Sequence, residues 1–129
     1  DRPLVAHFAA NDPDVLAAAV RLVSGTCDAV DLNLGCPQRT AYVGHFGSYL
    51  LDEEDRDLVV RIVRAAAAAA EGRVPIFVKI RLLKDIEDTA RLVRQLYGAG
   101  AALVAIHARY RASWERKGPG ARDGPAMLE

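Results

Sequence analysis

The sequence predicts an α/β protein, part of a parallel (β/α)8 TIM barrel with about four βα units, and three observations carry that prediction. Four short apolar runs alternate with three longer segments of helical periodicity, giving the order β-α-β-α-β-α-β. Apart from a few polar residues, the runs read as continuously apolar, the pattern of strands covered on both faces. Each run also ends, on its C-terminal side, in side chains capable of chemistry.

The first strand is expected over Leu4 to Phe8, with His7 near its end. A helix follows from Pro13 to about Val23, with Asp12 as N-cap and Pro13 in the first helical position. The second strand spans Ala29 to Leu34, interrupted by Asp31 and Asn33. The second helix runs from about Glu53 to Glu71. Leu58, Val59, Ile62, Val63 and Ala66 recur on one face, the first turn is acidic and Gly72 supplies the stop. Its tract Ala65 to Ala70 is strong helix former, suited to close packing. The third strand covers Ile76 to Ile80. A third helix runs from about Ile86 to Tyr97, between Asp85 as N-cap and Gly98 or Gly100 as terminator, and the fourth strand spans Ala102 to His107.

His7 closes the first strand, Asn33 and Cys36 the second, Lys79 and Arg81 the third, and His107 and Arg109 the fourth. A barrel assembles its active site at that end of every strand. A doubly wound open sheet concentrates it at one switch point, so the barrel fits better. A whole barrel takes about 250 residues, whereas this chain has 129. The expectation is therefore a barrel segment over residues 1–129 that does not fold stably alone, with open sheet edges.

Composition narrows the class. Apolar residues make up 51% and charged residues 26%, as in soluble globular domains. Seventeen basic residues balance seventeen acidic ones, so net charge makes no case for nucleic acid. No run approaches the roughly 20 apolar residues of a membrane span. Asp1-Arg2-Pro3 is neither a signal nor a transit peptide nor an initiator methionine, which suggests the interior of a longer protein. Cys27 and Cys36 form neither a disulfide framework nor a zinc signature, and a cytoplasmic location is expected, the nucleus being the alternative. No Rossmann fingerprint, P-loop or metal-ligand spacing occurs.

Cys36 is the sharpest chemical candidate. A lone cysteine is most often a small buried hydrophobe. Here Gly35 permits a sharp turn and Pro37 stops the strand, leaving a thiol at the active end as nucleophile or general acid. Cys27, at the opposite end, reads as structural. Lys79 in a buried strand needs a polar or anionic partner, either Asp31 or a bound ligand. His107 is a core histidine or, with Arg109, a ligand contact. His45 sits in the long loop beyond Cys36. Arg109, Arg111, Arg116, Lys117 and Arg122 surround Tyr110 and Trp114, a mixture suited to RNA or simply to a solvated loop.

The run Leu32-Asn33-Leu34-Gly35-Cys36-Pro37-Gln38 closely resembles the tRNA-dihydrouridine synthase family. The resemblance continues through Gly44-His45-Phe46-Gly47, Val78-Lys79-Ile80-Arg81 and His107-Ala108-Arg109, across essentially the whole chain. Phe8 to Pro13 and Asp31 to Asn33 look most like the eukaryotic branch acting on D-loop uridines 16 and 17. The resemblance implies an FMN-binding barrel followed by a helical RNA-binding domain, in a protein that is a monomer with tRNA as partner. NADPH reduces FMN, hydride passes from flavin N5 to uracil C6, and a cysteine protonates C5. Cys36 matches that acid and Asn33 the contact to the uracil edge. Lys79 and His107 match flavin contacts. Arg81, Arg109 and Arg122 are candidates for substrate or phosphate contacts. The family usually carries a flavin-bonding glutamine where this sequence has His7, and histidine can hydrogen-bond in its place. No metal is implied.

The barrel start, the phosphate-binding end and the helical tRNA-binding domain are expected outside this segment. The other readings are an FMN-barrel oxidoreductase acting on a small molecule and an inactive RNA-binding fragment.

Overall fold

A computed structural model describes residues 1–111 and 126–128. The order is β1 (Val5–Phe8), α1 (Pro13–Val23), β2 (Ala29–Leu34), α2 (Arg39–Val43), α3 (Arg56–Ala70), β3 (Ile76–Arg81), α4 (Ile86–Ala99) and β4 (Leu103–His107). Two 3-10 turns, Gly47–Leu50 and Glu53–Asp55, lie between α2 and α3. The strands form one sheet in the order β1-β2-β3-β4, every pair parallel. A doubly wound sheet would reverse that order at its switch point. Sequential parallel neighbours with helices on one side are a partial (β/α)8 barrel of the α/β class.

Local chemistry explains the helix ends. The Asp12 carboxylate accepts from the amides of Asp14 at 2.8 Å and Val15 at 3.1 Å, while Pro13 needs no partner for a missing N–H. Asp85 likewise accepts from Glu87 N at 2.7 Å. Two boundaries differ from expectation, and a third is decided between the two glycines expected. Glu53–Asp55 stands apart as a 3-10 turn, so α3 starts at Arg56. At its other end Glu71 already adopts a left-handed φ of 50° ahead of Gly72. Gly100, rather than Gly98, ends α4 with φ 113°, and a Cβ there would stand 2.6 Å from the Ala67 Cβ of α3.

The core lies between the sheet and its helices. Val30, Leu32, Leu34, Val78 and Ile80 are wholly buried, covered by Leu16 and Val20 of α1, Val59, Ile62 and Val63 of α3, and Leu92 and Leu96 of α4. The small side chains of Ala66, Ala69 and Ala70 are buried in α3, which packs against both α1 and α4.

Within this segment burial alternates along β2 and β3, so the helices cover one face of the sheet. By register, His7, Asp31, Asn33, Phe77, Lys79, Arg81 and His107 share the face turned away from the helices. Their polar members are the interruptions in the apolar runs, and no helix of the described residues packs over them.

Candidate active site

The open face gathers the strand ends. Asn33 stands opposite Lys79, and Arg81 opposite His107. One row earlier, His7 stands opposite Asp31.

Cys36 lies two residues beyond β2, half-buried, in a turn held from several directions. The Asn33 Oδ1 accepts from the amides of Gly35 at 2.9 Å and Cys36 at 3.1 Å. This side chain therefore shapes the turn, and its amide Nδ2 is the group left to offer a ligand, as a donor. The Cys36 carbonyl accepts from the Ser48 amide at 3.0 Å and the Ser48 hydroxyl at 2.9 Å. Gly47 makes this approach feasible. It has φ 63°, and a Cβ on it would meet the Cys36 oxygen at 2.8 Å and the Cys36 Cβ at 2.9 Å.

Arg81 donates from Nε to the Gly35 carbonyl at 2.7 Å and from Nη1 to the Tyr110 carbonyl at 2.9 Å. Expected beside a substrate, it ties the turn after β2 to the segment after β4. Of the two readings of Lys79, the pair with Asp31 is corrected: Lys79 is exposed in this segment, and Asp31 instead meets the His7 Nδ1 at 2.6 Å. The reason is the alternation of β3, which turns Lys79 to the open face where solvent carries its charge. His7 is half-exposed on that face. His107 is half-buried beside Arg81, and the Arg109 Nε is buried with no hydrogen-bond partner among the described residues.

Other expectations fall elsewhere. The His45 Nε2 meets Asp55 at 2.9 Å, and the Asn11 amide caps the His45 carbonyl at 3.1 Å. Cys27 is buried, its thiol 3.3 Å from the Val23 carbonyl, as a structural residue should be. Arg122, with Trp114, Arg116 and Lys117, lies outside the described residues. Sequence reasoning missed Ser48, Gly47 and the bracing role of Arg111. Only the glycine left a local signal, and that signal does not say what approaches it. Among the described residues, no three His, Cys, Asp or Glu side chains cluster as a metal site, and no helix is long and apolar enough to cross a membrane.

A half-buried thiol thus stands on a braced turn just beyond β2, in a sheet whose open face carries a lysine, two histidines and an arginine, and a thiol can act as an acid or a nucleophile. Residues 1–122 match the family model described as dihydrouridine synthase (Dus). The chain belongs to the dihydrouridine synthase family. Among curated relatives it is 44% identical over 118 residues to the tRNA-dihydrouridine(16/17) synthase, named for NAD(P)(+), of Saccharomyces cerevisiae, covering 92% of this chain and 26% of that protein. It is 43% identical over 119 residues to a similarly named synthase-like protein of Mus musculus, covering 92% and 24%. A tRNA-dihydrouridine(20a/20b) synthase of Schizosaccharomyces pombe is 35% identical over 111 residues, covering 86% and 33%. This dihydrouridine synthase chain thus spans about a quarter to a third of the length of those relatives.

Proposed function

We propose that the protein containing this chain reduces uridine to 5,6-dihydrouridine in the D-loop of tRNA, at positions such as 16 and 17, using FMN and NADPH. The observation that carries this reading is the Cys36 thiol. It is half-buried on a turn built by Asn33, at the strand ends where Lys79 and His107 share one face.

The face suits a flavin. Lys79 is an exposed ammonium with no ion pair among the described residues. A flat ligand rich in acceptors answers that need. Lys79, His107 and His7 would hold the ring or its phosphate, and Lys79 would offset the negative charge that reduction places on the ring. Bound FMN, once reduced by NADPH, supplies the hydride for uracil C6. Cys36 gives its thiol proton to C5, and the resulting thiolate regains a proton from solvent. Asn33 contributes its remaining Nδ2 donor to a uracil carbonyl. Arg109 and Arg122 would meet tRNA phosphates, while Arg81 acts through the loops it joins. The target base must leave the tRNA stack to reach this face.

Replacing Cys36 by Ala in the full-length protein tests the reading. Gel-shift binding of tRNA should persist, while dihydrouridine formation falls by about 100-fold or more, the scale of lost general-acid catalysis. Undiminished product would remove Cys36 from the mechanism. Reduction of a small enone, with no dihydrouridine formed in tRNA, would point to a different FMN-barrel enzyme.

A further inference from the structure

Three consecutive carbonyls of the cysteine turn are each held from outside it. Gly35 O accepts from Arg81 Nε at 2.7 Å, Cys36 O from Ser48, and Pro37 O from the Tyr49 hydroxyl at 2.8 Å. Ser48 and Tyr49 are themselves buried, and both are gripped by one further residue. Arg111, beyond β4, donates from Nη1 to the Ser48 carbonyl at 2.9 Å and lays its guanidinium 4.6 Å from the centre of the Tyr49 ring. The same guanidinium pairs with Asp52, Nη1 to Oδ2 at 3.2 Å and Nη2 to Oδ1 at 3.1 Å.

We propose that Arg111 is a positioning residue for Cys36, acting through Ser48 and Tyr49. This rests on the role of Cys36 as proton donor. The Arg111 side chain is only 11% exposed while that of Asp52 is 40% exposed. An ion pair to so open a carboxylate returns little for the burial of a guanidinium. The Ser48 carbonyl and the Tyr49 ring give that burial its purpose, because each continues directly into the cysteine turn. Only the planar fork of arginine can serve a carboxylate, a carbonyl and an aromatic face together; a lysine ammonium is a point charge without that geometry. The residue read from sequence as one of a set of cations suited to RNA or to a solvated loop is thereby turned inward. Proton transfer is sensitive to placement, and an error of about 1 Å costs on the order of 100-fold in rate.

The test uses the full-length, flavin-loaded protein and separates its two half-reactions by stopped-flow absorbance. Arg111→Met is expected to slow oxidation of the reduced flavin by saturating tRNA by about 10- to 100-fold. Its tRNA Kd and its rate of reduction by NADPH should stay at wild-type values, and Arg111→Lys should fall between the two proteins. Tyr49→Phe removes only the hydroxyl on Pro37, keeps the ring, and decides the matter if Arg111→Met does not fold; it should slow the same half-reaction several-fold. A weakened tRNA Kd with an unchanged saturated rate would make Arg111 a phosphate contact and overturn the proposal, as would unchanged tRNA-driven oxidation in both variants. Cys36→Ala, run alongside, separates the failures. If it still reduces tRNA, the role of Cys36 as proton donor is wrong; if it does not and the two brace variants are unaffected, only the role of Arg111 is.

Discussion

Lys79 and Ile80 are neighbours on β3, yet Ile80 is wholly buried beneath the helices while Lys79 is exposed on the other side of the sheet. The same division runs through β2, where Leu32 and Leu34 face the helices and Asp31 and Asn33 do not. A strand turns successive side chains to opposite sides. One face is thus free to be selected for packing and the other for chemistry, residue by residue. In this dihydrouridine synthase chain the packing face carries the close-fitted apolar core, and the open face carries the groups read here as flavin and tRNA contacts.

Substitutions on either side of one peptide bond sharpen that contrast most. Ile80→Ala should cost about 2–5 kcal/mol of stability through the cavity it leaves, measured by chemical denaturation of the full-length protein. Lys79→Ala should change stability by no more than about 0.5 kcal/mol while weakening flavin retention or slowing reduction by NADPH. Equal stability losses would break the division of labour between the faces. Next in size is Gly47→Ala, where the left-handed φ and the approach to Cys36 should cost about 1–3 kcal/mol. Dihydrouridine formation should fall further than the lost stability explains, because the thiol's own turn is displaced. A variant with normal product yield would show that the turn tolerates a shift.

The smallest effect belongs to the opposite end of the sheet. The Leu4 amide, and after it the Arg2 guanidinium, hold the Asp28 carboxyl below its ordinary value of 3.8. A depressed carboxyl stabilises the fold above its unfolded pKa and loses that contribution as pH falls through the folded one. Asp28→Asn should therefore lower stability slightly in the neutral region, flatten the acid side of the stability profile below about pH 4, and leave tRNA reduction almost unchanged. Loss of product at neutral pH in this variant would mean that the two ends of the strands are not separable.

The two thiols show how far local reading reaches. Cys27 and Cys36 have the same chemistry, but their flanks differ: Gly35 and Pro37 mark a turn after a strand, and that is how Cys36 stood out. Its environment was not legible in the same way. The Ser48 contact lies twelve residues away, and the Arg111 contact to Ser48 another 63 beyond that. The Asp31 pair weighed for Lys79 failed because register sets Lys79 opposite Asn33. Asp31 found His7 rather than Lys79 because register set those two opposite each other.

By itself the sequence determined the alternating elements, the helix caps at Asp12 and Asp85, the parallel α/β class and the placing of polar residues at strand ends. These follow from short-range physics: backbone propensity, capping hydrogen bonds and the period of apolar residues. Tertiary structure alone decided which face each polar group occupies, that Asn33 spends its oxygen on the cysteine turn, and that Arg81 and Arg111 grip that turn from other strands' loops. Those outcomes depend on register and loop closure between residues far apart in the chain, which no local pattern encodes.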